Sequence, residues 1–335
     1  MIELQTLAME TATNHIKDVL KLTDSGMQAV NAHLRDQLNS DVILINQIAE
    51  YIISNGGKRL RPMLMLLITE AFNYQGEQNI NLAAVIELIH TATLLHDDVV
   101  DESELRRGEK TSHEIWGNSA SVLVGDFLYS KSFQMMVKAD DMQVMSILSD
   151  ATNKISEGEV QQLLNVGNLD LTEDDYYQII ANKTAKLFEA ACQLAAVIAK
   201  QDNVIQTKMA EFGMLLGTAF QIADDVLDYT ANNDDLGKNL GDDFNEGKLT
   251  MPLIYLLKNG EAEQRAQITL AIKEPQQADF SLVRKLVIES KAIEYTLSQA
   301  KQKAMAAKAQ LAELPDSTSK HALSFLCDYA WQRNQ

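Results

Sequence analysis

Apolar side chains recur three and four residues apart along most of the chain. Val42, Ile45, Ile48, Ala49 and Ile52 keep that rhythm, and Leu82, Val85, Ile86, Ile89 and Thr93 repeat it. The stretches Leu187 to Ala199 and Phe212 to Asp228 read the same way. No alternation of period two lasts long enough to build a sheet, so the pattern predicts an all-α fold. Breaks are expected at Asn55-Gly56-Gly57, from Asn73 to Asn79, around Arg107-Gly108, from Gly167 to Leu171 and from Thr230 to Gly247. None is long or low in complexity, so they read as turns between helices and not as linkers. The expectation is one domain over residues 1–335, with chemistry-bearing motifs inside 55–250 and peripheral helices over 258–335.

Composition supports long helices, because four prolines and 15 glycines in 335 residues are few breakers. The formal net charge of −18 argues against general nucleic-acid binding, which needs broad Lys/Arg neutralisation of phosphates. It equally disfavours docking on anionic lipid through a basic face. Cys192 and Cys327 are the only cysteines, too few for a disulfide framework and without metal spacing, which fits a reducing cytoplasm. The N-terminal stretch carries Glu3, Glu10 and His15 and lacks the basic-then-apolar order of a leader. No apolar run approaches the roughly 20 residues of a membrane span.

Two pentads change the picture. Asp97-Asp98-Val-Val-Asp101 and Asp224-Asp225-Val-Leu-Asp228 share the pattern DDxxD, each preceded by an apolar helical stretch. Residues four apart share a helix face, so Asp97 and Asp101 point together, as do Asp224 and Asp228. Carboxylates this dense repel one another by about 1 kcal/mol per pair at 4 Å in water, and by more when partly buried. A counter-cation relieves that repulsion, and oxygen-only ligands suit Mg2+, which keeps waters and shares phosphate oxygens.

Basic residues stand where phosphates could be met. Gly56-Gly57-Lys58-Arg59-Leu60-Arg61-Pro62 runs into an apolar helix and delivers Lys58 and Arg61 to its positive N-terminus; an ordinary basic cap is the alternative. Arg106-Arg107-Gly108 follows the first pentad, and arginine grips phosphate with a planar fork. His90 precedes Asp97 on the same helix, while Lys183, Thr184, Gln221, Lys238 and Lys248 stand near later helix boundaries and say little singly.

Taken together, the loop NGGKRLRPM and the segments HTATLLHDDVVDES, SASVLVGDFLYS, SEGEV, KTAKLFEAA, GTAFQIADDVLDY and LGKNLGDDFNEGK resemble the trans-polyprenyl diphosphate synthases, most closely the bacterial octaprenyl type. The resemblance runs from about Leu38 to Leu257. It implies antiparallel helices around a deep central cavity, usually in a homodimer. It implies that Lys58, Arg61, His90 and Arg107 hold isopentenyl diphosphate, and that Asp97, Asp98, Asp101, Asp224, Asp225 and Asp228 place Mg2+ on an allylic diphosphate primer. Arg106, Lys183, Thr184, Gln221, Lys238 and Lys248 would touch that same diphosphate. Leu249 stands where many relatives carry proline. The implied reaction is ionisation of the allylic diphosphate, attack by the isopentenyl double bond and loss of a proton to the departing diphosphate, with apolar walls excluding water.

Chain length should depend on the residues below the first pentad. Small side chains at Thr93 and Ala92, with Ile89 a turn further, leave a path open, and from Asp97 back to Ile86 is about 17 Å of helix. Met135 and Met136 are candidates for a deeper floor, or equally ordinary core. That depth exceeds what a tail of three isoprene units needs, and the resemblance implies an octaprenyl product for a quinone side chain, with nonaprenyl close behind and farnesyl or geranylgeranyl products as shorter alternatives. Membrane contact is expected to be transient at most, for product release. The rival readings are a terpene cyclase, which needs no second diphosphate pocket, and a non-catalytic partner subunit, which would be expected to have lost its metal ligands.

Overall fold

A computed structural model describes residues 15–54, 56–231, 240–274 and 278–332. The expected helices form. In chain order they are α1 (Ile16–Leu38), α2 (Ile43–Ser54), α3 (Leu60–Ala71), α4 (Gln78–Val100), the short α5 (Ser112–Trp116), α6 (Asn118–Val137) and α7 (Met142–Leu164). There follow α8 (Glu173–Ile180), α9 (Lys186–Ile198), α10 (Asn203–Thr230), the single turn α11 (Asp242–Asn245), α12 (Met251–Asn259), α13 (Ala262–Lys273), α14 (Phe280–Glu289), α15 (Ala292–Gln310) and α16 (Thr318–Gln332). Among the described residues the only sheet is a hairpin, Leu105–Arg106 paired with Glu109–Lys110. Its turn residues Arg107 and Gly108 both have positive φ, 58° and 81°, the geometry of a tight two-residue hairpin. A period-two pattern cannot show in strands of two residues, which is why the sequence showed only a break there.

Helix boundaries follow local chemistry. The Asp202 side chain accepts from the Ile205 amide to start α10, and a reciprocal Thr172–Asp175 capping box starts α8. Helices α3, α4, α9 and α10 are apolar over more than one face because each is surrounded: Leu64, Leu67, Ile86, Ile89, Cys192 and Phe212 are fully or almost fully buried. The α9–α10 contact is close because Gly213 lies against the Phe188 carbonyl and Gly217 against Ala185, where a Cβ would collide with backbone. That approach carries the C-terminal half of α10, with the second pentad, beside residues 181–185.

The expectation that residues 258–335 are peripheral needs correcting. Helix α15 packs along α10, and α16 packs on α3, α10 and α15. Leu323, Leu326 and Cys327 of α16 are buried in the same apolar cluster as α3, α4 and α9. Their spacing follows the helical period, but alanine-rich stretches such as Ala304-Met-Ala-Ala307 carry too weak an apolar signal to advertise this burial. No described helix is long and apolar enough to cross a membrane.

Candidate active site

The first pentad occupies the last turn of α4, with Asp101 as its C-cap, and the second occupies the last two turns of α10. Helix C-termini carry the negative end of the backbone dipole, so clustering carboxylates there deepens a field that attracts cations. A cavity of about 1060 Å³ opens against α4 and α7, lined by Thr93, Asp97, Asp101, Tyr129, Ile155 and Glu159 among others. A smaller one of about 100 Å³ is lined by Lys183, Thr184, Gln221 and Asp225. Gln162 and Lys248 line both, so the two cavities adjoin along a shared wall, with Asp97 and Asp101 in the larger and Asp225 in the smaller.

The side chains at this wall are linked. Lys183 Nζ lies 2.5 Å from Glu159 Oε2, 2.8 Å from Gln162 Oε1 and 3.8 Å from Asp97 Oδ2. Lys248 Nζ lies 2.7 Å from Asp101 Oδ2 and 2.6 Å from Glu246 Oε2. Lys183 is aimed by an unusual backbone: residues Ala181–Ala185 form one π-helical turn between α8 and α9, a local widening common at functional sites. Gly158 of α7 admits this turn, since a Cβ there would sit 2.6 Å from the Lys183 nitrogen. Thr184 Oγ1 donates to Gln221 Oε1 at 3.0 Å, and Gln221 Nε2 donates to Asp225 Oδ1 at 2.8 Å.

The six aspartates are not equivalent. Asp97 and Asp101 line the large cavity. Asp98 is buried and turned to Arg106, whose Nε and terminal nitrogen lie 2.7 and 2.6 Å from Asp98 Oδ1. Arg106 thereby holds the Asp98 carboxylate, and Asp98 does not line that cavity. Asp225 accepts from the Tyr176 hydroxyl at 2.5 Å, and Asp228 is fully buried; Asp224 is half-buried. Among the described residues no three His, Cys, Asp or Glu side chains form a ready metal cage. Burial pushes the Asp97 and Asp225 carboxyls upward, and pushes Glu159 up to about 7 against the pull of Lys183.

Behind the first pentad lies a second charged cluster. Arg61 is stacked over the Phe188 ring at 4.4 Å and is pushed by burial down to about 10. The buried Glu87 faces Arg59 at 3.7 Å, and its charge acts on Arg61 and Arg107 as well. Burial and the nearby Arg61 and Arg107 hold His90 well below its ordinary value. Lys58 sits over the Tyr329 ring of α16 at 5.7 Å. The four residues assigned from resemblance to isopentenyl diphosphate, Lys58, Arg61, His90 and Arg107, thus share the region around Glu87 and the N-terminus of α3. Lys238 lies outside the described residues.

Of the residues expected to set chain length, Thr93 lines the cavity, while Ile89, Ala92, Met135 and Met136 are fully buried. Ala92 is rotated about 100° from Thr93 around α4 and does not line that wall. The Asn81 amide donates to the Met135 carbonyl at 3.2 Å, which sets these methionines beside the N-terminal end of α4. That lies 16 residues, or about 24 Å, from the first pentad. Sequence reading missed Glu87, Arg59, Glu159, Gln162, Tyr176 and Glu246. A charge at an inward position of an apolar helix, as in Ala84-Val-Ile-Glu87-Leu-Ile-His90, is the signal that could have found Glu87.

The polyprenyl synthetase family profile matches residues 42–289. The chain belongs to that family. As a polyprenyl synthetase it is an enzyme that transfers prenyl groups. It is 46% identical over 325 residues to the octaprenyl diphosphate synthase of Escherichia coli K12, covering 96% of this chain and 100% of that one. It is 41% identical to the all-trans-nonaprenyl-diphosphate synthase of Rhodobacter capsulatus, covering 95% and 98%. Among solved structures, the Caulobacter crescentus polyprenyl synthase complexed with calcium and isoprenyl diphosphate superposes with a TM-score of 0.92 at 41% identity, covering 96% and 98%. Polyprenyl synthetase structures thus share the helical architecture described above.

Proposed function

We propose that the chain extends an allylic diphosphate with successive isopentenyl diphosphates to octaprenyl diphosphate. The observation that carries this reading is the cavity of about 1060 Å³ whose wall combines Asp97, Asp101 and Lys248 with Thr93, Tyr129 and Ile155: polar groups for a diphosphate beside space for an apolar tail. The similarity to an octaprenyl diphosphate synthase at 46% identity supports eight units, and the nonaprenyl relative at 41% makes nine the second choice.

The donor set fits Mg2+. Asp97 and Asp101 offer oxygens on one helix face at the wall of the large cavity, Asp225 lines the smaller cavity beside it, and Asp224 and Asp228 complete the second pentad; a divalent cation would offset the repulsion among these carboxylates. These carboxylates would hold Mg2+, which would supply neutralisation of the leaving group's charge. Lys183, Thr184, Gln221, Lys248 and Lys238 bind the same diphosphate in this reading, and Arg106 orients Asp98. Lys58, Arg61, His90 and Arg107 hold isopentenyl diphosphate. The apolar wall excludes water from the developing cation, and the departing diphosphate takes the proton.

A homodimer is part of the proposal. Val42, Ile43 and Leu44 before and in α2, Ile115 in α5 and Val122 and Leu123 in α6 are exposed apolar side chains, flanking a groove lined by Ile43, Tyr51 and Trp116. A second copy would cover such a face. A cytoplasmic location is supported by two buried, unpaired cysteines, with membrane contact limited to product release.

Purified chain given Mg2+, labelled isopentenyl diphosphate and an allylic primer should consume both and yield a C40 product by mass spectrometry. Chelation with EDTA should abolish turnover. Consumption of primer without isopentenyl diphosphate would indicate a cyclase, and activity only with an added subunit would indicate a non-catalytic partner.

A further inference from the structure

Two lysines at the wall between the two cavities, Lys183 lining the smaller and Lys248 lining both, share one arrangement that the pentads do not explain. Each touches one aspartate of the first pentad and one glutamate outside it: Lys183 with Asp97 and Glu159, Lys248 with Asp101 and Glu246. The side chains of both lysines are largely enclosed, at 19% and 11% exposure. The glutamates come from different places in the chain, Glu159 from α7 and Glu246 from the segment after α11, and both line the large cavity. Both are close, at 2.5 and 2.6 Å, and for Lys183 the glutamate is much nearer than the aspartate at 3.8 Å.

The consequence concerns exchange of charge. Without a divalent cation the lysines help neutralise Asp97 and Asp101. A cation that takes those carboxylate oxygens leaves each ammonium without that partner in a poorly hydrated wall, where an unpaired charge is costly. We infer that Glu159 and Glu246 are positioning residues that keep Lys183 and Lys248 paired when a divalent cation takes Asp97 and Asp101, so that the lysines remain beside the diphosphate without competing for the aspartates. This rests on the reading of the wall as a metal–diphosphate site. Gln162, 2.8 Å from Lys183, and Ser103, whose hydroxyl lies 3.5 Å from Glu246, steady the two arrangements.

The test is a double-mutant cycle read by binding, not turnover. Calorimetry at pH 8 measures the half-saturating Mg2+ concentration in the presence of inorganic pyrophosphate for wild type, Glu159→Gln, Lys183→Gln and the double variant. The same set is made with Glu246→Gln and Lys248→Gln. Each glutamate substitution should raise the half-saturating concentration about tenfold when its lysine is present, and by under about twofold when that lysine is Gln. An equal rise without the lysine means that the glutamate acts on the cation directly, and it overturns the inference; so does an unchanged value with the lysine present. Failure of wild type to bind Mg2+ with pyrophosphate overturns the underlying site as well. If one glutamine variant does not fold, the other cycle decides alone.

Discussion

Thr93 is the first side chain below Asp97 on the same face of α4, and it reaches the cavity wall. Replacing it with phenylalanine should close the path early and shift products to shorter chains. Ala92 is fully buried one position away, so a phenyl there finds no space in the packed core and must displace the turn of α4 that carries Thr93 to the cavity wall. Ala92→Phe should therefore also shorten the product, at a stability cost of about 1–3 kcal/mol from overpacking. Chromatography of labelled products with a thermal melt reads both effects; an unchanged product length from Thr93→Phe would remove α4 from the control of chain length. A second residue-scale prediction concerns pH. Glu159 is raised to about 7 in the folded chain from an ordinary value of 4.5, so folding favours its protonated form. Its contribution is present below about pH 4.5 and is lost as pH rises toward and through 7. Metal-free protein should lose on the order of 2 kcal/mol from this group between those limits, allowing for its partial exposure. The difference in melting temperature between wild type and Glu159→Gln, followed from pH 5 to 8, isolates that term.

At the scale of elements, the π turn Ala181–Ala185 and Gly158 form one device. The turn widens the junction of α8 and α9 so that Lys183 and Thr184 reach adjacent parts of the wall, and Gly158 lets α7 lie against its backbone. Gly158→Ala places a methyl 2.6 Å from the Lys183 nitrogen and 2.8 Å from Asn182 Cβ. Helix propensity alone would make this substitution stabilising by up to about 1 kcal/mol. The collision should reverse the sign, costing about 1–3 kcal/mol and lowering turnover by displacing Lys183; differential scanning calorimetry and steady-state rates check both. The helices themselves were legible because α2, α4, α9 and α10 repeat apolar residues at the helical period. The pentads and the basic loop were legible because their spacing repeats or follows a turn signal. The pairing of Lys183 with Glu159 and of Arg106 with Asp98 was not legible. Such contacts depend on how α7, α4 and the hairpin meet, and neither periodicity nor local spacing encodes that meeting.

At the scale of the molecule, the same limit explains why the C-terminal helices read as peripheral. Their small residues give a shallow pattern, yet α16 closes the core over α3 and brings Tyr329 to Lys58. The two cysteines make this testable without altering the chain. Cys192 in α9 and Cys327 in α16 are both buried and reduced, and burial pushes the Cys327 thiol up to about 12. Neither should react with a thiol reagent until its surroundings open. If α16 belongs to the same cooperative unit as α9, both thiols should become reactive together, at the rate of global unfolding. A merely attached helix would instead expose Cys327 first, while Cys192 stayed protected. Timed alkylation in sub-denaturing urea, read by peptide mass spectrometry, separates these outcomes. Leu326→Ala adds an energetic measure: as a core residue it should cost about 2–5 kcal/mol, whereas Leu282→Ala on the exposed side of α14 should stay within about 0.5 kcal/mol. Joint protection of the cysteines with that contrast would tie the loop carrying Lys58 to the stability of the whole core. Early loss of Cys327 protection would mean that α16 can detach while the rest of the fold persists.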